Sequence, residues 1–319
     1  MKKLLAIGEA LIDMIPMEKG KIMNVESFSP KVGGAPLNVC GAYSKLGGSS
    51  SIITMLGNDP FGDKIIKELE TYGINTDYVK RTDLANTSLA FVALDENANR
   101  EFSFYRKMGA DMLLSEKDIN QVWFSDTYAL HFCSVSLGNF PMKKAHDQAL
   151  LIAKNQGLIV SFDPNVRLPL FDDHEYLKNV IIDYIQYADI LKISEEEVEF
   201  IFGNKNIDEN LDFIFNQGVK LLIYTLGKDG ATAYTKYVKV HVDGVEVSAV
   251  DTTGAGDGFI GCLLHQLSKD GIELDELEKL GENQIKKYLN YANQFCAISV
   301  TKEGAIASYP TFEQMKKGI

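Results

Sequence analysis

The sequence predicts an α/β fold: a mostly parallel central sheet with helices on both sides and a small β-sheet lid. Two observations carry this. Short, nearly continuous apolar runs alternate with amphipathic segments at helical spacing, the pattern of strands covered on both faces and joined by crossover helices. Two β-type stretches, Lys21–Val32 and Ser88–Tyr105, fall outside that alternation. They fit a lid over the sheet's ligand edge; an edge extension of the same sheet is the alternative.

Leu4–Gly8 opens the chain as a buried strand. Lys2 and Lys3 precede it, but Glu9 and Asp13 break the apolar run too early for a secretory signal, so a cytoplasmic protein is expected. Ala35–Leu46 has helical spacing, Ser51–Leu56 is an apolar strand, and Phe61–Tyr72 is helical again. Ser88–Leu94 and Arg100–Tyr105 flank the polar turn Asp95–Asn99 and read as a hairpin. Strands Tyr128–Phe132, Ile159–Asp163, Ile190–Ile193 and Leu221–Leu226 follow. Between them lie helical segments at Lys143–Asn155, Tyr176–Tyr187, Glu195–Phe202 and Asp208–Gln217. Val245–Val250 alternates like a strand, and Phe259–Leu264 opens an apolar helix.

The 319 residues allow one large α/β domain or two small ones. With 32 Lys and Arg against 44 Asp and Glu, the net charge is −12. That argues against nucleic-acid and anionic-membrane partners, but not against a small anionic ligand in a locally positive pocket. No apolar run approaches the roughly 18 residues of a membrane span. Cys40, Cys133, Cys262 and Cys296 form no C-x-x-C pair and the five histidines no H-x-x-x-H, so neither a zinc site nor a disulfide framework is expected.

The most informative segment is Asp251-Thr252-Thr253-Gly254-Ala255-Gly256-Asp257-Gly258, between the alternating stretch and the apolar helix. A glycine-rich turn at a helix start crowds backbone N–H groups at the positive end of the helix dipole, an anion site. It is not a dinucleotide fingerprint, because Phe259 stands at the last glycine position, and no Walker A string exists. A carboxylate beside an anion site is costly unless it has chemistry there. Asp257 is therefore a candidate base for an attacking hydroxyl, with a helix-cap role as the alternative.

These residues resemble the C-terminal signature of the ribokinase-like (PfkB) family of sugar kinases. Gly33-Gly34-Ala35-Pro36-Leu37-Asn38-Val39 resembles its N-terminal glycine signature. Leu56–Gly62 and Thr225-Leu226-Gly227-Lys228-Asp229-Gly230 are similar to further family segments. Within the family the chain most resembles the fructokinases, through Phe104-Tyr105-Arg106, Ala110–Leu114, Ser134–Leu137, Asp163–Leu170 and Lys192–Glu197. Lys107-Met108-Gly109 departs from the Pro-Ser pair common in fructokinases. The resemblance covers nearly the whole chain. It implies one ribokinase-like three-layer α/β/α domain over 1–319, with a lid from about 13–32 and 88–107. The activity it implies is ATP-dependent phosphorylation of D-fructose at the 6-hydroxyl.

The resemblance also implies residue roles. Asp257 would be the base, with Gly254, Ala255 and Gly256 forming a backbone anion hole. Asp13, Gly33, Gly34, Asn38, Arg106 and Arg167 would line the sugar pocket. Lys192, Ser194, Glu197, Thr225, Gly227, Gly230 and Asn293 would serve the nucleotide, with Glu197 on magnesium-bound water. The wider family has Asn where Ser194 stands, and fructokinases share the Ser. Asp251, Thr253, Ser299, Lys302, Gly304 and Ser308 resemble the family's potassium site. ATP, Mg2+ and K+ are thus the expected cofactors, and an exposed lid face makes a homodimer through the lid a further expectation.

Three alternatives remain. A ketodeoxygluconate kinase or another family kinase would pair Arg106 and Arg167 with a different sugar or sugar acid. A non-catalytic sensor on the same fold would have no need of Asp257. A nicotinamide oxidoreductase is disfavoured by Phe259.

Overall fold

A computed structural model of the chain describes residues 2–94 and 100–317. The expected turn Asp95–Asn99 lies outside the described residues. The chain runs through β1 (Lys3–Ile7), β2 (Leu11–Pro16), β3 (Phe28–Gly33), α1 (Ala35–Lys45), β4 (Ser50–Gly57) and α2 (Pro60–Thr71). It continues with β5 (Ile74–Asn75), β6 (Val79–Thr82), β7 (Leu89–Leu94), β8 (Arg100–Tyr105), β9 (Thr127–Cys133) and α3 (Pro141–Asn155). Then come β10 (Ile159–Asp163), α4 (His174–Ile185), β11 (Ile190–Ser194), α5 (Glu195–Phe202), α6 (Leu211–Asn216) and β12 (Leu221–Thr225). The last elements are β13 (Ala231–Tyr234), β14 (Lys239–Val242), α7 (Ala255–Asp270), α8 (Glu282–Val300) and α9 (Phe312–Lys317).

The large sheet runs β14-β13-β12-β11-β10-β9-β1-β4-β5, with β6 also on β4. From β12 to β5 every pairing is parallel; β13 and β14 add an antiparallel edge. Both faces are dry, and the two-residue period of a strand divides them. Leu4 and Ala6 of β1 face a core shared with α1, α2, α7 and α8. Leu5 and Ile7 face the core of α3, α4 and α5, where Phe132 stacks on Phe162 at 4.4 Å. No helix among the described residues is long and apolar enough to cross a membrane.

A separate four-stranded sheet has the order β3-β2-β7-β8. It contains the hairpin expected from Ser88–Tyr105, with β7 and β8 antiparallel and Leu89 opposite Tyr105. Phe28, Phe91 and Tyr105 form an aromatic row on it, at 5.1 and 5.2 Å.

Two local expectations are corrected. Val245–Val250 is no strand: Val245 and Val250 are exposed, Val247 is only half-buried, and the Val250 amide donates to the Val300 carbonyl of α8. Of Lys21–Val32, only the part from Phe28 is strand, and Ile22–Asn24 is a 3-10 turn. Asp13 lies inside β2, opposite Lys31 and Ala90.

Helix ends follow local chemistry. Asp59 caps α2 by accepting the amides of Phe61 and Gly62 at 3.0 and 2.8 Å, with Pro60 in the first turn. Helices α1 and α7 cross closely at Gly261, where a Cβ would stand 2.6 Å from the Val39 carbonyl and 2.8 Å from Ala42 Cβ. That approach brings the first turns of the two helices together.

Candidate active site

Parallel strands end on one edge of a sheet, and ligand crevices form there. Here that edge carries Asp163 of β10 and Lys192 of β11, both buried, with Lys192 Nζ 2.7 Å from Asp163 Oδ2. Asp163 Oδ1 also accepts the amide of Asn165, which holds a left-handed φ of 47°. Burial alone would push the Lys192 ammonium down, but Asp163, Glu197 and Asp257 hold it well above the usual lysine range. It is a fixed positive charge.

Asp257 lies in the first turn of α7 and is 6% exposed. Its Oδ2 accepts Asn38 Nδ2, from the first turns of α1, at 2.9 Å. Burial pushes its carboxyl up to about 6, and the Asp163 charge pushes the same way; the Asn38 hydrogen bond, Arg167 and Lys192 oppose them. The result is a carboxylate that ionises near neutrality yet is basic enough to take a proton. Asn38 Oδ1 is buried and has no hydrogen-bond partner among the described residues, so it offers an acceptor toward this site.

The turn before Asp257 depends on Gly254, which adopts a left-handed φ of 74°. The Ala255 N–H donates to the Thr252 carbonyl at 3.2 Å, and the Gly258 N–H to the Gly254 carbonyl at 2.8 Å. By helix geometry the amides of Gly256 and Asp257 lack intrahelical acceptors. A Cβ on Gly256 would stand 3.3 Å from Lys192 Nζ, so the lysine approaches this same spot.

Asp13 and Gly33 meet across β2 and β3: a Cβ on Gly33 would fall 2.0 Å from Asp13 Oδ2. Burial pushes the Asp13 carboxyl up to about 6; Arg167 opposes this and Glu9 adds to it. Arg167 is exposed, and its charge acts on both Asp13 and Asp257. Asn38, Asp257 and Lys192 are thus brought together from α1, α7 and β11, and the charge of Arg167, in the loop after β10, acts on Asp257 and on Asp13. Gly34 sits over β1's exit, where a Cβ would lie 2.5 Å from the Glu9 carbonyl.

Arg106 follows the last residue of β8. It is buried against Asp111, with Nη2 at 2.6 Å and Nε at 2.9 Å from Oδ2, and Nη1 is 3.3 Å from the Val135 carbonyl. Ser88 donates to Asp111 Oδ1. Beside this pair, buried Glu9 accepts Ser136 Oγ at 2.8 Å and the amide of Ala35 at 3.3 Å. Burial raises the Glu9 carboxyl, against the pull of Arg106. Glu9 thus ties β1 to the start of α1, which carries Asn38. Sequence reasoning missed Glu9 as a site-building residue; the signal was a charge interrupting an apolar run.

The nucleotide candidates cluster on the β11–β14 side. Ser194 pairs in register with Thr225. Glu197 is buried, and its oxygens accept the amides of Ser194 at 2.8 Å and Val166 at 2.7 Å. Gly227 and Gly230 turn β12 into β13, where the Leu226 amide meets the Gly230 carbonyl at 2.9 Å. Asn293 Nδ2 holds the carbonyls of Val242 and Asp243 at 3.3 and 2.9 Å, so its amide nitrogen anchors the exit of β14.

The remaining set also comes together. Asp251 Oδ1 accepts the amide and hydroxyl of Thr253, and its Oδ2 accepts Gly304 N at 2.8 Å. Ser299 and Ser308 hydroxyls lie 2.7 Å apart, and Lys302 N donates to the Ser299 carbonyl. Loops 250–254 and 299–308 therefore form one unit behind the α7 turn.

The profile of the pfkB family carbohydrate kinases matches residues 1–312. The chain is 40% identical over 308 residues to a probable fructokinase-2 of Arabidopsis thaliana, covering 96% of this chain and 92% of that protein. It superposes on the Xylella fastidiosa fructokinase with bound ATP at a TM-score of 0.91 and 30% identity, over 99% of this chain and 97% of that one. A fructokinase double mutant from Vibrio cholerae O395, in fructose, ADP and potassium ion bound form, gives 0.86 and 30%, over 99% and 98%.

Proposed function

We propose that this chain, which belongs to the pfkB family of carbohydrate kinases, transfers the γ-phosphoryl group of ATP to the 6-hydroxyl of D-fructose. The observation that carries the proposal is buried Asp257, held by Asn38 at the amide-rich start of α7. In the reaction the sugar hydroxyl oxygen bonds to the γ-phosphorus while the bond to the β-phosphate oxygen breaks. The hydroxyl proton passes to the Asp257 carboxylate, and ADP leaves. The amides of Gly256 and Asp257, with Lys192 and Arg167, face the developing charge. Asp13 accepts sugar hydroxyls, and Gly33 leaves room for them and for the carboxylate.

Both Glu197 oxygens accept amides, and this fixed carboxylate would hold water bound to a magnesium ion. That suits an ion that keeps its waters and binds mainly to phosphates. When bound, magnesium neutralises phosphate charge during transfer. The 250–254 and 299–308 loops, drawn together by Asp251, offer backbone oxygens to a potassium ion, and the potassium-bound Vibrio cholerae relative supports this reading. The small sheet serves as the lid. Exposed Ile15 and Tyr105 on its strands, with Met17 and Met23 in the β2–β3 connection, are the surface of a homodimer, for which light scattering should return twice the chain mass; a monomer mass would refute it.

A coupled assay of ATP turnover over a sugar panel, with potassium varied, tests the substrate. Fructose-dependent turnover stimulated by potassium is expected. Turnover on ketodeoxygluconate without turnover on fructose would overturn the assignment.

A further inference from the structure

Tyr309 stands behind the turn that opens α7. Its Oη donates to the Gly254 carbonyl at 2.6 Å. The same oxygen receives the Gly258 amide, and the other side of that peptide is held by Ala255 N on the Thr252 carbonyl. The ring itself is fixed: it is 2% exposed, 5.3 Å from the Phe295 ring, and 3.1 Å from where a Cβ of Gly258 would stand. On the next peptide, Cys296 Sγ donates to the Ala255 carbonyl at 3.3 Å.

These contacts matter because a trans peptide points its C=O and N–H in opposite directions. A donor that grips the Ala255 oxygen turns the Gly256 N–H to the opposite face, where Lys192 approaches. Gly254 is the least restrained residue the turn could use, so its left-handed conformation needs fixing from outside. Burial and the Asp257 charge raise the Tyr309 phenol far above neutrality, and the hydroxyl stays a donor.

We propose that Tyr309 is a positioning residue for phosphoryl transfer: its hydroxyl holds the Gly254 carbonyl and so fixes the left-handed turn from which the Gly256 and Asp257 amides project toward the transferring group. It never touches substrate. The role rests on the kinase reading above, and it uses a donor behind the anion site to keep that site preorganised.

Tyr309→Phe removes one oxygen and keeps the ring on Phe295 and Gly258. The variant is expected to keep its Tm within about 5 °C and its KM for fructose within about twofold, while kcat falls about tenfold. ADP affinity should hold, whereas ADP with aluminium fluoride, which mimics the transferring group, should bind about tenfold more weakly. An unchanged kcat overturns the proposal. So does equal weakening of both ligands, or a loss accounted for by unfolded enzyme. A wild type that turns over no sugar refutes the kinase reading and this role with it. An active wild type matched by Tyr309→Phe refutes the role alone.

Discussion

Asn38 Nδ2 lies 2.9 Å from Asp257 Oδ2, a contact between helix starts separated by 219 residues of chain. It joins the two glycine signatures into one site, and it tunes the carboxylate as well as holding it.

The pH profile should report this. Asp257 must be ionised to accept a proton, and burial raises its carboxyl to about 6. kcat/KM is therefore expected to be flat above that value and to fall as pH drops through about 6. Asn38→Ala removes a bond that favours the charged form, so the acid limb should move to higher pH. Asp13 also titrates near 6, so the limb belongs to both groups. Repeating the profile in Asp13→Asn isolates Asp257; an acid limb near 4 in that variant would contradict the environment described.

Gly33→Ala should imitate loss of Asp13. The new Cβ would stand 2.0 Å from Asp13 Oδ2, which must swing away. Both Gly33→Ala and Asp13→Asn are expected to raise the KM for sugar about 10- to 100-fold, the value of hydrogen bonds to a charged group. ADP affinity, measured by calorimetry, should not change. A normal sugar KM in Gly33→Ala would show that Asp13 does not hold the substrate.

Arg106 is predicted to act on stability first. Arg106→Met leaves Asp111 charged and buried, and should cost about 3–5 kcal/mol in denaturant unfolding. Arg106→Met combined with Asp111→Leu should recover much of that loss, because no unpaired charge remains. Equal stability of the single variant and wild type would refute the pairing.

Much of the fold was legible because buried parallel strands are apolar throughout and their helices are amphipathic. Leu4–Gly8 and Ile159–Asp163 needed no further information. Val245–Val250 misled because alternation indicates a strand only if one face has something to pack on. Local composition suggested an anion site at Gly254–Gly258. Which amides stay free was not legible, because the Ala255 amide turns back on Thr252. Contacts between distant segments, such as Glu9 on Ser136 and Tyr309 on Gly254, leave no periodic trace in a single sequence. Tyr309 gave no signal at all.

The most direct test of Asp257 as the base compares wild type and Asp257→Asn with ATP and fructose, following the products by phosphorus NMR and ADP affinity by calorimetry. Wild type should yield fructose 6-phosphate, and the variant should be slower by about 10²–10⁴-fold while binding ADP normally. A variant close to the wild-type rate, or phosphate on another hydroxyl in the wild-type product, would contradict it.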